Sequence, residues 1–81
     1  MTHFEFNSNY EGKRCMFTFK SGEVLYGVIG TFFPREPNNY YFVPSNKMIL
    51  VQGHMDKDEY EEMKEYCILK DIGDLLSAKE I

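Results

Sequence analysis

What the chain lacks narrows the field first. No run approaches 18 consecutive apolar residues, which excludes a helix that spans a membrane. The start, Met1-Thr-His-Phe-Glu-Phe-Asn7, has neither a basic segment nor an apolar stretch and does not read as a secretory signal, so the expected location is cytoplasmic. The two cysteines, Cys15 and Cys67, lie far apart with no Cys-x-x-Cys and no ligand-spaced His nearby. That argues against a metal site and, in a reducing compartment, against a disulfide. Each has apolar neighbours and reads as a small buried residue, and only Cys15, after Lys13 and Arg14, has the positive surroundings a reactive thiol needs. The phosphate-cradling patterns G-x-x-x-x-G-K-[ST] and G-x-G-x-x-G are absent, as is the zinc-binding H-E-x-x-H. His3 and His54 are single histidines with no sequence partner to orient them, and no nucleophile is marked, so the expected protein is not an enzyme and carries no cofactor.

A basic excess is missing too. The net charge is −4, and it is divided unevenly. Residues 1–55 carry five basic and four acidic side chains (+1), whereas residues 56–81 carry nine acidic and four basic ones (−5). A surface built to neutralise phosphates shows the opposite balance, so nucleic acid is disfavoured as a partner and a protein is favoured. The acidic run Asp56, Asp58, Glu59, Glu61, Glu62, Glu65 lacks the Gly and the ligand period of a calcium loop and reads as a solvated helix face.

What is present is a short, aromatic-rich globular chain. Its 81 residues make one domain, 1–81, with a small core, and 13 of them are Phe or Tyr. Phe4 and Phe6 alternate as in a short strand, so residues 1–12 are expected to be an irregular or paired arm. From Lys13 to Lys20, Cys15, Phe17 and Phe19 share one face of a strand, and Ser21-Gly22 turns the chain into a second strand, Glu23 to Phe33. Gly27 and Gly30 inside that strand suggest a bulge or a sharp bend. Pro34–Asn39 is a loop, Tyr40–Val43 a third strand, and Lys47–Gln52 a fourth, punctuated by Gly53. Asp56, with Glu59 three residues on, suggests a capping box that opens a short acidic helix over about 56–66. Ile68-Leu69 opens a fifth strand, Asp71-Ile-Gly-Asp74 is a one-turn connector, and Leu75–Ile81 pairs back onto the sheet. The expected class is mainly β, a small and strongly bent antiparallel barrel of about five strands with one short helix.

The surface most suited to binding is the segment Phe32–Tyr41. Arg35 sits between prolines among Phe33, Tyr40 and Tyr41, with Asn38 and Asn39 adjacent. Aromatic rings beside a cation and amides can stack on bases or grip a peptide, and they can equally be core residues.

Two stretches resemble a known pattern. One is Phe17-Thr-Phe-Lys-Ser-Gly22-Glu-Val-Leu-Tyr-Gly27-Val-Ile-Gly-Thr-Phe32, and the other is Ile49-Leu-Val-Gln52-Gly53. They resemble the two motifs of the Sm-like family of small RNA-associated barrels: an alternating strand, a turn with Gly and a glycine-bearing second strand, then an apolar strand ending in Arg-Gly. The likeness covers residues 13–53, and the same rhythm occurs in other SH3-type barrels. It implies an SH3/Sm-like barrel and, for the family, oligomeric RNA binding. The positions that would carry RNA depart from the pattern. Phe33 stands where the family has an acidic residue, Asn38 and Asn39 are shifted relative to its loop asparagine, and Gln52 replaces the arginine, with His54 just beyond. The expected function is therefore a non-enzymatic interaction module that binds a protein through a strand edge or the aromatic loop, with Sm-like RNA binding as the alternative. Oligomeric state is left open.

Overall fold

A computed structural model describes all 81 residues. Five antiparallel strands form one sheet: β1 (Arg14–Phe19), β2 (Val24–Gly30), β3 (Tyr40–Pro44), β4 (Ile68–Lys70) and β5 (Leu75–Glu80), in the order β4-β3-β2-β1-β5. Three helices accompany them: α1 (His3–Asn9), α2 (Met48–Asp56) and α3 (Tyr60–Lys64). No helix is long and apolar enough to cross a membrane.

The topology forces the sheet to curl. β4 and β5 occupy opposite edges, which a flat five-stranded sheet would hold about 19 Å apart. Only Asp71–Asp74 connects them, and even fully extended the step from Lys70 to Leu75 reaches no more than about 18 Å. The connector is instead a compact 3-10 turn, Ile72–Asp74, capped by Asp71, whose side chain accepts the Gly73 N–H at 2.8 Å. The edges are drawn toward each other, yet no ladder joins β4 to β5, so the sheet is coiled and open rather than a closed barrel.

The alternation in β1 is as expected: Cys15, Phe17 and Phe19 point inward and are buried. Gly22, at φ +94°, makes the following turn, a conformation that strains any side chain. β2 ends at Gly30 rather than Phe33 and pairs with β1 without a bulge, from Arg14↔Val28 to Thr18↔Val24. Gly27 serves instead to admit its neighbour: a Cβ there would lie 2.0 Å from the Val43 carbonyl and 2.9 Å from the Phe42 ring. The irregular register falls at the opposite edge, between Thr18 and Phe19, where Leu76 of β5 has no opposing residue.

Both faces of β3 are covered. Tyr40 and Phe42 join Phe6, Phe17, Phe19, Ile29, Ile72 and Leu75 in an inner core, while Tyr41 and Val43 join Phe33, Val51 and Met63 in an outer one. A strand buried on both sides needs apolar residues at successive positions, hence Tyr-Tyr-Phe-Val.

Three expectations are corrected. Residues 1–12 are not a paired arm. Thr2 caps α1, accepting the Glu5 N–H at 3.1 Å while the Glu5 carboxylate accepts from the Thr2 backbone, and Phe6 drops into the inner core. Lys47–Gln52 is not a strand, because Met48–Asp56 is helical, with Val51 buried against β3 and Gly53 inside the helix. Asp56 closes a helix instead of opening one. The Glu59 N–H donates to the His54 carbonyl and the Asp58 N–H to the Met55 carbonyl, with Asp58 at φ +57°. This is the hydrogen-bond pattern of a helix C-terminus, with Asp in the left-handed position that Gly usually takes. The acidic helix expected over 56–66 shrinks to Tyr60–Lys64, anchored by the fully buried Met63.

Candidate functional site

The segment Phe33–Tyr41 is divided by the fold between two cores and a hub. Phe33 and Tyr41 lie in the outer core with their ring centroids 4.7 Å apart and edge to face, and Tyr40 lies in the inner core against Phe6. Their rings are therefore packed within the protein. Arg35 is exposed, as are Asn38 and Asn39. Gln52 and His54 stand on α2: Gln52 donates to Asp56 at 2.8 Å, and His54 faces Glu59.

The hub is Glu36. Its carboxylate accepts from Lys64 Nζ at 2.7 Å, from the Asn39 amide at 2.9 Å and from the Tyr41 hydroxyl at 2.7 Å. One loop residue thus ties β3 to α3, and Lys64 also lies 5.2 Å over the Phe33 ring. These donors, Lys64 foremost, hold the Glu36 carboxyl down at about 2. The same contact raises the Tyr41 phenol and the Lys64 ammonium. A carboxyl held below its unfolded value contributes stability that is complete above about pH 4.5 and is lost as the pH falls from there toward 2. The melting temperature of the wild type is therefore expected to fall more steeply across that window than that of Glu36→Gln. Parallel curves in thermal melts from pH 6 to 2 would remove the hub from the account.

His54 acquires the partner that the sequence does not mark. Its Nδ1 is 3.0 Å from Glu59 Oε1, and its ring stacks on Tyr66 with centroids 6.1 Å apart. The pair closes the α2–α3 elbow; Glu59 lines the rim of one surface groove, whereas His54 borders none. No three His, Cys, Asp or Glu side chains gather as metal ligands. Both thiols are displaced upward. Burial raises Cys15, with Glu80 adding to the rise and Lys13 offsetting only part of it, and burial pushes Cys67 to about 11. The positive neighbours of Cys15 thus do not make it a thiolate.

Two grooves mark the surface. The smaller, about 430 Å³, runs between Phe33–Glu36 and the Asp58–Lys64 stretch. The larger, about 760 Å³, lies where the β1–β2 turn, Asn38–Tyr40 and the end of β4 converge. Lys70 of β4 crosses this groove to Glu23 at 2.9 Å and lies 4.8 Å from the centre of the Phe19 ring. Asn38, Asn39 and Tyr40 therefore share one groove, Arg35 and Phe33 share the other, and Gln52 and His54 belong to neither.

Beside the larger groove is a feature the sequence does not mark as a site. β4 bonds to β3 on one side only and presents Ile68 (48% exposed) and Leu69 (59%) at a free edge. Its single charge, Lys70, is turned toward Glu23 and Phe19. The other edge is defended: β5 carries the unpaired Leu76 and the charges Lys79 and Glu80, with Glu80 3.8 Å from Lys13. Comparison with protein-family models, with curated proteins and with solved structures gave no match.

Proposed function

We propose that the protein is a non-enzymatic interaction module that captures an extended segment of a partner protein along the free edge of β4. The observation that carries this reading is the contrast between the two edges: β5 is irregular and ends in Lys79 and Glu80, whereas β4 pairs regularly with β3, exposes Ile68 and Leu69, and has its one charge, Lys70, drawn off to Glu23. An added strand would gain main-chain hydrogen bonds from β4 and place alternate side chains beside Leu69 and toward the groove at Asn38 and Lys70. The aromatic-loop version of the reading is the weaker one, since Phe33, Tyr40 and Tyr41 are committed to the cores.

The test is selection of short random peptides displayed on phage. Enriched sequences should alternate apolar and polar residues. Their binding should weaken at least tenfold with Leu69→Lys, a change at an exposed position, and should ignore Arg35→Ala. Peptides lost with Arg35→Ala and indifferent to Leu69→Lys would overturn the edge reading.

The second reading is Sm-like RNA binding. It draws on the coiled sheet and on Lys20, Lys70, Asn38 and Asn39 lining one groove, although Glu23, Asp71 and Asp74 line it too. Ile49–Gly53, the second stretch of the resemblance, is helical, which leaves Ile68-Leu69-Lys70 as the apolar strand that could fill its role. A single-stranded RNA that binds with a steep loss of affinity as salt rises would favour this reading.

A further inference from the structure

The outer face of the sheet is covered over one half only. Val51 of α2 and Met63 of α3 pack onto Tyr41 and Val43 of β3, whereas the half formed by β2, β1 and β5 stays open. The register lays out its side chains in rows. Met16 stands between Tyr26 of β2 and Lys79 of β5, and Thr18 stands between Val24 and Ser77. Tyr26 is 54% exposed and Val24 43%, with Met16 and Thr18 half-buried between them and their β5 neighbours. Arg14 precedes Met16 on the same face, and its carbonyl accepts the Ile81 N–H, so Arg14 and Lys79 are diagonal neighbours with β carbons about 7–8 Å apart. Both are exposed and neither forms an ion pair. No carboxylate shares the face. By alternation Glu23 and Glu80 belong to the opposite side, where they meet Lys70 and Lys13. In a chain of net charge −4, this half-sheet is therefore apolar at its centre and positive at one end.

We infer that this half of the sheet docks an acidic segment of a partner protein, with apolar side chains on Tyr26, Met16 and Val24 and carboxylates at Arg14 and Lys79. Charge complementarity decides the occupant. Two neighbouring cations without a counter-charge repel each other, and a carboxylate between them removes that repulsion while the Arg14 fork binds it in bidentate fashion. Tyr26 supplies the anchor, a large ring with a hydroxyl at its tip, of the kind that dominates binding at interfaces. A polyanion fits less well. Nucleic-acid binders typically neutralise about 6–10 phosphates, and this face offers two cations on a chain that is negative overall. Tyr26 is also the one aromatic residue on this half, too few to stack successive bases. The surface is separate from the free edge of β4, because β3 lies between β4 and β2. The inference is thus independent of the edge-binding reading.

The test is titration of the isotope-labelled full chain with short end-blocked peptides, followed through its amide chemical shifts. The probes are a leucine–glutamate peptide and a leucine–lysine peptide, each interrupted by prolines so that neither can pair as a strand along β4. The glutamate peptide should bind at least tenfold more tightly than the lysine peptide and should shift the amides of Met16, Thr18, Tyr26 and Lys79. Arg14→Glu combined with Lys79→Glu should reverse that preference, and Tyr26→Ala should weaken the glutamate peptide at least fivefold. These positions are exposed, so the melting temperatures of the variants should stay close to the wild type. Leu69→Lys should leave the binding unchanged. Equal affinity for the two peptides would overturn the inference, as would a preference that survives the double charge reversal. So would an oligouridylate that binds this face more tightly than the glutamate peptide does.

Discussion

Gly27→Ala is expected to destabilise the domain by about 3 kcal/mol or more, at the upper end of what overpacking costs. The added methyl would stand 2.0 Å from the Val43 carbonyl and about 3 Å from two atoms of the Phe42 ring. A ring can swing, but the carbonyl belongs to the β3 backbone, which pairs with β2 at Val28↔Val43 and is held on its other side by β4. Relief therefore requires the two central strands to part. The Phe42 ring meets the Phe17 ring edge to face at 6.3 Å, so the displacement would spread into the inner core. A small domain has about 5–15 kcal/mol in total, and the variant should sit close to the folding threshold. Urea titration of the variant measures the loss, and a cost below about 1 kcal/mol would mean that the strands do not approach as described.

Phe6→Ala is expected to cost about 3–5 kcal/mol, whereas Phe4→Ala should change stability by no more than about 0.5 kcal/mol. The contrast is diagnostic of α1. In a strand, residues 4 and 6 would share a face and the two substitutions would cost similar amounts. In the helix they diverge by 200°. Phe6 is wholly enclosed between Phe17 and Tyr40, and Phe4 is 80% exposed. Equal costs in matched urea titrations would argue for the paired arm and against the helix.

The same segment shows why parts of the fold were legible and others were not. Thr2-x-x-Glu5 is a capping box written plainly in the sequence, but the Phe4/Phe6 alternation competes with it, and only the burial of Phe6 decides. Strands β1, β2 and β3 are legible because alternation, a turn glycine and a run of aromatics each have one ready reading. The α2–α3 elbow reverses the usual punctuation. Its glycine, Gly53, is inside a helix, and the left-handed position after α2 is filled by Asp58. Read without the fold, Gly53 suggests a strand end and Asp56 a helix start. Met-Ile-Leu-Val is too short for periodicity to separate helix from strand, and the choice was made by the outer face of β3, which needs a cover for Tyr41 and Val43.

The candidate site was legible in composition and not in geometry. An aromatic cluster around Arg35 is visible in the chain, yet two strand faces and two cores absorb its rings. A single carboxylate has no pattern, so nothing in the sequence marks Glu36, and its importance arises from Lys64, 28 residues away. The free edge of β4 was equally hidden. Strand order is a long-range property, and nothing in Ile68-Leu-Lys70 states that β3 is its only neighbour.

If β4 offers an unpaired edge to an extended partner, the backbone amides of that edge must report it. Residue-resolved amide hydrogen exchange tests it most directly, on the protein alone and then with a peptide enriched by selection. The outward-pointing amides of Ile68–Lys70 should exchange readily in the free protein and become protected when the peptide is bound, while those of β2 change little. Protection of β4 in the free monomer, or peptide-induced protection confined to Pro34–Asn39, would contradict the account.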